Sequence, residues 1–512
     1  MRYGNHMQSF KLLKLRASVT STTALALLIL ASCGSSSGGS ADTDTTNLTL
    51  DTQLAAALTL AGLDGDPVDG RSFPEITDPL AELGKRLFFT KSLSGDFDAA
   101  CASCHHPRLA GGDAMALSIG TDAVDPDLLG PLRAHHPSAE GYDGGPTVPR
   151  NSPTTFNLAL WEESLFWDGR VQKLESGIAT PDSSSSATAD PLAGATLSAA
   201  QARFPVTSEE EMRGFTFEYG LNNAAVRDHL AGRLGNFGAG AGEISEDWVS
   251  LFRTTFNEPT MPVQDLITFE NVVAAIGAYE DSQIFVETPW KQYVAGDRDA
   301  ISAAAKRGAL LFLREPNQGG AACARCHSGD FFTDGDYHLT AFPQIGRGKG
   351  VPNLIGGMDA DYGRSMFVGG MIERFSFRTP SMINVMETGP WGHAGSFSDM
   401  ETLLRYHVDP LSGFAGFNLA GLPAGMQTSG FVQNTGEAVN QLLLQRGAGT
   451  SQLPTNLSLN DRDYTDLIAF LESLTDPRIL DPVFLEPWIA RNDAGFTDSQ
   501  LLLAHDGQGE VY

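Results

Sequence analysis

Cys101-Ala102-Ser103-Cys104-His105 is one of two pentapeptides in this chain that place two thiols and an imidazole at C-x-x-C-H spacing; the other is Cys323-Ala324-Arg325-Cys326-His327. Two thiols so separated can each bond a vinyl group of one porphyrin, and the histidine that follows lies where it can ligate the iron. Two copies predict two covalently bound c-type haems. A zinc site or a redox dithiol would use the same thiols. Neither needs a histidine directly after the second cysteine of each pair. Of the five cysteines, Cys33 alone lies outside the pentapeptides.

Helices must deliver these turns. From Pro79, Leu80, Leu83, Leu87 and Phe88 recur at spacings of three and four, which predicts a helix leading toward Cys101. Gly84-Lys-Arg-Leu-Phe-Phe before the first turn is echoed by Gly308-Ala-Leu-Leu-Phe before the second. Gly111-Gly112-Asp113 and Thr333-Asp334-Gly335-Asp336 follow the two histidines, so a weak internal repeat uses one helix-and-turn unit twice. Thr268 is an N-cap for a helix presenting Phe269, Val272, Val273 and Ile276. A closing helix carries Tyr464, Leu467, Ile468, Leu471 and Leu474 and stops at Thr475-Asp476-Pro477. Strand signals are weak in both halves. The expected fold is mainly α, with two cytochrome c-like haem domains in tandem, at 66–296 and 297–477.

A chain of 512 residues with 42% hydrophobic content supports two or three domains. Its formal charge of −28 makes nucleic acid a poor partner, while a basic redox protein or a small neutral oxidant stays compatible. At the start, Lys11, Lys14 and Arg16 precede an apolar run, Ala24 to Leu30, too short to span a bilayer. Residues 1–33 therefore read as an export signal. Leu30-Ala31-Ser32-Cys33 resembles the bacterial lipobox, whose cysteine is acylated, so the expected location is the periplasmic side of a bacterial membrane, lipid-anchored at Cys33, with the outer membrane as the expected membrane. Residues 34–65 are expected to form a flexible tether. Asp182 through Ala202 reads as a surface loop of low complexity, and 478–512 as a C-terminal extension of no evident role.

The order of motifs resembles the bacterial dihaem cytochrome c peroxidases and their relative MauG over roughly 75–477. The residues that carry it are Gly84 to Phe89, Cys101 to His105, Pro149-Arg-Asn-Ser-Pro-Thr154, Phe166-Trp-Asp-Gly-Arg170, Glu211-Met212, Cys323 to His327 and Phe377-Arg-Thr-Pro380. The resemblance implies that the first haem reduces hydrogen peroxide and the second relays electrons to it from a periplasmic partner, a small c-type cytochrome or cupredoxin. It implies that Glu211 is the acid and base that moves a proton between the peroxide oxygens, and that Trp167 is the relay between haems. Asn151, with the carbonyls of Thr388 and Pro390, matches the family's calcium site.

Three departures bear on mechanism. After Ser118-Ile119-Gly120 the family's capping histidine is replaced by Thr121, so the first iron is expected to be five-coordinate without prior reduction, as in MauG, unless His135, His136 or Met115 swings in. The glutamine that accompanies Glu211 in the peroxidases is replaced by Gly177. Fourteen residues beyond His393, where the peroxidases place methionine and MauG tyrosine, stands His407, a second axial ligand to the His327 iron. His338 and His393 are read as structural. Two further readings stand beside the peroxidase: a MauG-like enzyme that oxidises aromatic residues of a partner protein, and a non-enzymatic electron-transfer or redox-sensing cytochrome. A homodimer is compatible with all three.

Overall fold

The computed structural model describes residues 41–139, 144–349, 351–352, 359–427, 430–455, 457–491 and 499–512. The export signal and Cys33 lie outside them. The main helices are α1 (Ala41–Ala61), α2 (Pro79–Phe89), α3 (Asn223–Gly235), α4 (Trp248–Phe256), α5 (Phe269–Asp281), α6 (Ala303–Leu313), α7 (Met400–Val408), α8 (Phe431–Ala448) and α9 (Asp461–Glu472). A three-stranded antiparallel sheet, β1 (Ser164–Leu165), β2 (Val171–Leu174) and β3 (Gly177–Ala179), is the largest among the described residues. No helix among them is long and apolar enough to cross a membrane.

The repeat seen in the sequence is a helix crossing used twice. A Cβ on Gly84 would lie 1.9 Å from the Ala275 carbonyl oxygen of α5, and a Cβ on Gly308 would lie 1.9 Å from the Asp466 carbonyl oxygen of α9. Only glycine lets α2 seat on α5, and α6 on α9, at that distance. Thr268 caps α5 by accepting from the Asn271 N–H, and Asn460 caps α9. Leu83, Leu87, Phe88, Val272, Ile276 and Tyr279 fill the first core; Phe312, Leu467, Phe470 and Leu471 fill the second with Trp290.

The two ends of the chain are exchanged between these cores. Where a tether is expected to 65, residues 41–61 are helical. Leu50, Leu54 and Leu58 fall at spacings of four on one face of α1 and bury in the second core. The Tyr293 hydroxyl donates to Asp51 at 2.8 Å, and Lys306 pairs with Asp51 at 2.8 Å. The C-terminal extension does the converse. Leu501, Leu502 and Ala504 bury in the first core, the Leu502 N–H donates to the Phe89 carbonyl at 3.0 Å, and the Leu129 N–H donates to His505 at 2.9 Å. Residues 182–202 are not wholly a loop, because Thr196 caps a buried turn of helix at Leu197–Gln201.

Candidate haem-binding and peroxide site

Each cysteine pair sits on a short helical turn, at Cys101–Cys104 and Cys323–Arg325. Burial pushes the Cys104 and Cys323 thiols up to about 12 and raises Cys101 further. Such thiols are poor thiolate nucleophiles, which counts against a redox dithiol.

The two histidines are held alike. His105 Nδ1 hydrogen-bonds the Gly111 carbonyl at 3.2 Å and also faces that of Pro153; His327 Nδ1 bonds the Pro380 carbonyl at 3.1 Å. With Nδ1 fixed on a carbonyl, Nε2 is the nitrogen left to ligate iron. Burial lowers both imidazoles below their ordinary range, keeping them neutral as ligands. The prolines belong to a second repeat, Arg150-Asn-Ser-Pro-Thr-Thr-Phe-Asn157 and Arg378-Thr-Pro-Ser-Met-Ile-Asn384. Asn157 and Asn384 both take left-handed backbone (φ 64° and 63°) and both donate side-chain N–H to the Phe285 carbonyl, at 3.2 and 2.9 Å.

Opposite the repeated turns the halves diverge. The second turn opens on a cavity of about 400 Å³ lined by Cys323, Cys326, His327 and His407. His407 is on α7, packed edge-on against Phe342 at 5.2 Å, and burial, then the nearby His327, holds it down to about 4. Thiols, a carbonyl-oriented imidazole and a second neutral imidazole across an apolar cavity are the donor set a c-type haem requires.

Near the first turn lies a π-helical turn, Glu209–Arg213. The Met212 sulfur is 4.0 Å from that of Cys101. Glu209 pairs with Arg213, and Glu210 accepts from the Ser208 hydroxyl at 3.1 Å. Glu211 is half-buried, has no hydrogen-bond or ion-pair partner among the described residues, and lies close enough to Cys101 and Cys104 to raise both thiols beyond the larger effect of burial. Thr121 does not face this turn as a free ligand. Its hydroxyl donates to the Glu209 carbonyl at 3.0 Å and its N–H to that of Glu210 at 3.3 Å, so it clamps the acidic turn. Gly120 permits the approach, since a Cβ there would meet both the Glu210 and Glu211 carbonyl oxygens at 2.3 Å.

The remaining sequence candidates are placed as follows. His135 bonds the His136 carbonyl at 3.1 Å, exposed His136 bonds the Ser138 hydroxyl at 3.0 Å, and the Met115 carbonyl accepts from Asn151 at 2.9 Å. None of these contacts runs to the Cys101–His105 turn. Gly177 is exposed in the β2–β3 hairpin. His393 is buried and stacked on Phe377 at 3.9 Å, and His338 pairs with Asp334 at 2.7 Å. Asn151, Thr388 and Pro390 all line the second-turn cavity. The Asn151 amide donates to the Met115 and Ala116 carbonyls, which turns its own carbonyl oxygen to other use.

Trp167 links the two turns. Its indole N–H donates to the Asn151 carbonyl at 2.9 Å, two residues before Pro153. Its backbone carbonyl accepts from the Arg378 N–H at 2.8 Å, two residues before Pro380. Sequence reasoning gave no role to the two proline carbonyls, although the repeated Asn and Pro spacing of the two segments was there to be read.

This geometry fits a c-type haem at each turn, with an unpaired acid beside one and a second imidazole across the cavity from the other. A family model, "Di-haem cytochrome c peroxidase", matches residues 78–299. The chain is 28% identical over 336 residues to the methylamine utilization protein MauG of Methylorubrum extorquens, covering 65% of this chain and 69% of that protein. It is 26% identical over 326 residues to the cytochrome c551 peroxidase of Pseudomonas aeruginosa, covering 64% and 70%. Among solved structures it resembles a MauG-like protein associated with microbial copper homeostasis (TM-score 0.52, 21% identity, 82% of this chain and 98% of that one). It also resembles the diheme peroxidase BthA of Burkholderia thailandensis (TM-score 0.50, 20% identity, 81% and 90%). These matches support the dihaem cytochrome c peroxidase and MauG family, and the relatives named as peroxidases support an oxidoreductase of the haem peroxidase type, against the non-enzymatic reading.

Proposed function

We propose that the chain reduces hydrogen peroxide to water at its N-terminal haem, with electrons relayed through the C-terminal haem from a small c-type cytochrome or cupredoxin. A c-type haem at each turn supplies the iron chemistry. Around it the residues have separate tasks. His105 and His327 hold their rings by Nδ1, His407 completes the second site, and Trp167 bridges the segments that hold both histidines. Glu211 takes a proton from one peroxide oxygen and returns it to the other; two electrons and two further protons then give two waters. The observation that carries this reading is that Glu211, next after two tethered acids, is itself untethered beside Cys101 and Cys104.

A second reading, oxidation of aromatic residues in a partner protein, is supported by Thr121, which clamps the acidic turn where a capping histidine is expected. Glu211→Gln is expected to keep both haems and lose about 10²- to 10⁴-fold in peroxide turnover, the usual contribution of a general acid–base group. Unchanged turnover would remove Glu211 from the mechanism. Candidate donor cytochromes and cupredoxins, assayed as the sole electron source, separate the first reading from the second.

The proposed location is the periplasmic side of a bacterial membrane, anchored through acylated Cys33; radiolabelled palmitate incorporated equally by Cys33→Ser would exclude it. Calcium held by Asn151, Thr388 and Pro390 would need several waters to complete its shell. Elemental analysis of chelator-treated protein tests that assignment.

A further inference from the structure

Three indoles line the cavity at the second turn: Trp161, Trp167 and Trp391. Two are hydrogen-bonded to carbonyl oxygens, Trp167 to Asn151 at 2.9 Å and Trp391 to Val385 at 2.8 Å. A carbonyl dipole aimed at the indole N–H favours loss of an electron, because the oxidised ring is a cation whose N–H carries positive charge. Trp161 has the opposite environment. The Arg378 guanidinium carbon lies 3.4 Å from its ring centroid.

Arg378 is buried and fixed. Its Nε donates to the Phe166 carbonyl at 3.1 Å, and its backbone N–H donates to Trp167. No carboxylate pairs with it among the described residues: Asp168, whose charge acts on it after that of Tyr337, is held by Arg150 at 2.7 Å and Arg170 at 3.3 Å, and one Arg378 N–H group is left without a partner. A cation on the face of a neutral indole is held by the ring's electron density. Remove an electron from that ring and attraction becomes repulsion between two like charges in a poorly screened interior.

We propose that Arg378 is an electrostatic guard that keeps Trp161 reduced and so confines oxidation in this cavity to the two carbonyl-bonded indoles, Trp167 and Trp391. The position of Trp161 gives the guard its purpose. It packs edge-on to Phe331 at 5.2 Å and is followed directly by exposed Glu162 and Glu163, so an oxidised Trp161 would carry oxidising equivalents toward solvent instead of between the haems.

The inference rests on the peroxide chemistry proposed above. Unguarded, the indole would be hydroxylated by peroxide: the O–O bond breaks, one oxygen replaces a ring hydrogen as hydroxyl, and the other leaves as water with that hydrogen. The test exposes holoprotein to excess hydrogen peroxide and locates added oxygen by peptide fragmentation, which separates Trp161 from Trp167. Arg378→Gln should raise oxygen addition at Trp161 at least about tenfold over the natural protein, and Arg378→Lys, which keeps the charge, should restore protection. Photochemical one-electron oxidation needs no peroxide reactivity and must give the same order. It must also leave Trp161 the least modified of the three cavity indoles in the unsubstituted protein, a measurement that stands if the glutamine variant fails to fold. A haem spectrum silent to peroxide, with photo-oxidation still discriminating, would sink the proposed function and leave the guard standing. Equal labelling of Trp161 with and without the charge would overturn the guard.

Discussion

At the first turn His105 leans on Gly111 and Pro153; at the second His327 leans on Pro380; and Asn157 and Asn384 close both segments on the same Phe285 carbonyl. The proximal architecture is duplicated almost residue for residue. Across from it nothing is duplicated, since the first half presents an untethered carboxylate on a π-helical turn and the second a buried imidazole on α7. The difference teaches where the halves part ways: the repeat supplies two equivalent platforms, and the turn Glu209–Arg213 and helix α7 alone set what faces each of them; under the proposed function that decides which platform meets peroxide and which passes electrons.

That contrast can be broken most sharply at His407. His407→Ala should remove the imidazole that separates the two sites and turn the second haem from low spin to high spin, read by electron paramagnetic resonance of the oxidised protein. An unaltered low-spin signal would mean that another ligand serves.

A smaller effect is expected at the junction. Arg150 joins the halves through a bidentate pair with Asp361 at 2.6 and 2.8 Å and an ion pair with Asp168 at 2.7 Å, all buried. Arg150→Met would strand the Asp361 carboxylate and leave Asp168 only Arg170 at 3.3 Å, at a cost of about 3–5 kcal/mol, measured by denaturant unfolding. Burial alone would raise both acids; the Arg150 charge outweighs it and holds them below the ordinary 3.8. Their contribution is present above that pH and lost as pH falls through the depressed values. In Arg150→Met burial is no longer opposed by that charge and raises these acids, so the variant regains stability by protonating them as pH falls from 7 toward 4 while the natural protein still holds its full contribution. The gap between the two proteins should narrow over that range, and a constant gap would assign the loss to packing.

The smallest of the three effects tests the duplication itself. Asn157→Ala and Asn384→Ala should each cost about 1–3 kcal/mol, the cost of leaving buried backbone groups unpaired, and the two values should agree to within about a factor of two. A cost confined to one would show that the halves are alike in shape only.

The haem turns, α2, α5, α6 and α9 were legible because spacing and caps are local signals, and Gly84 and Gly308 stand in the repeat that marked them. Glu211 was not legible from chemistry alone. It lies in a run of three glutamates, and only tertiary contacts show that Arg213 and Ser208 occupy the other two. Thr121 was read as a missing ligand, whereas its hydroxyl has a structural use. The Leu50, Leu54 and Leu58 face of α1 was hidden behind a Thr- and Asp-rich start, and the partners of Leu501 and Leu502 lie near the opposite end of the chain, where no local pattern points.

That exchange of ends orders the assembly of the molecule. Whether the polypeptide leaves a ribosome or a membrane channel, it emerges N-terminus first, and Asp51 must wait for Tyr293, 242 positions later, before α1 has anything to dock on. The half that comes out first is closed by Leu501 and Leu502, which come out after the second half. The core against which Cys101 packs thus stays open on one side until Leu501 and Leu502 arrive, and a chain ended before them would leave that core unsealed.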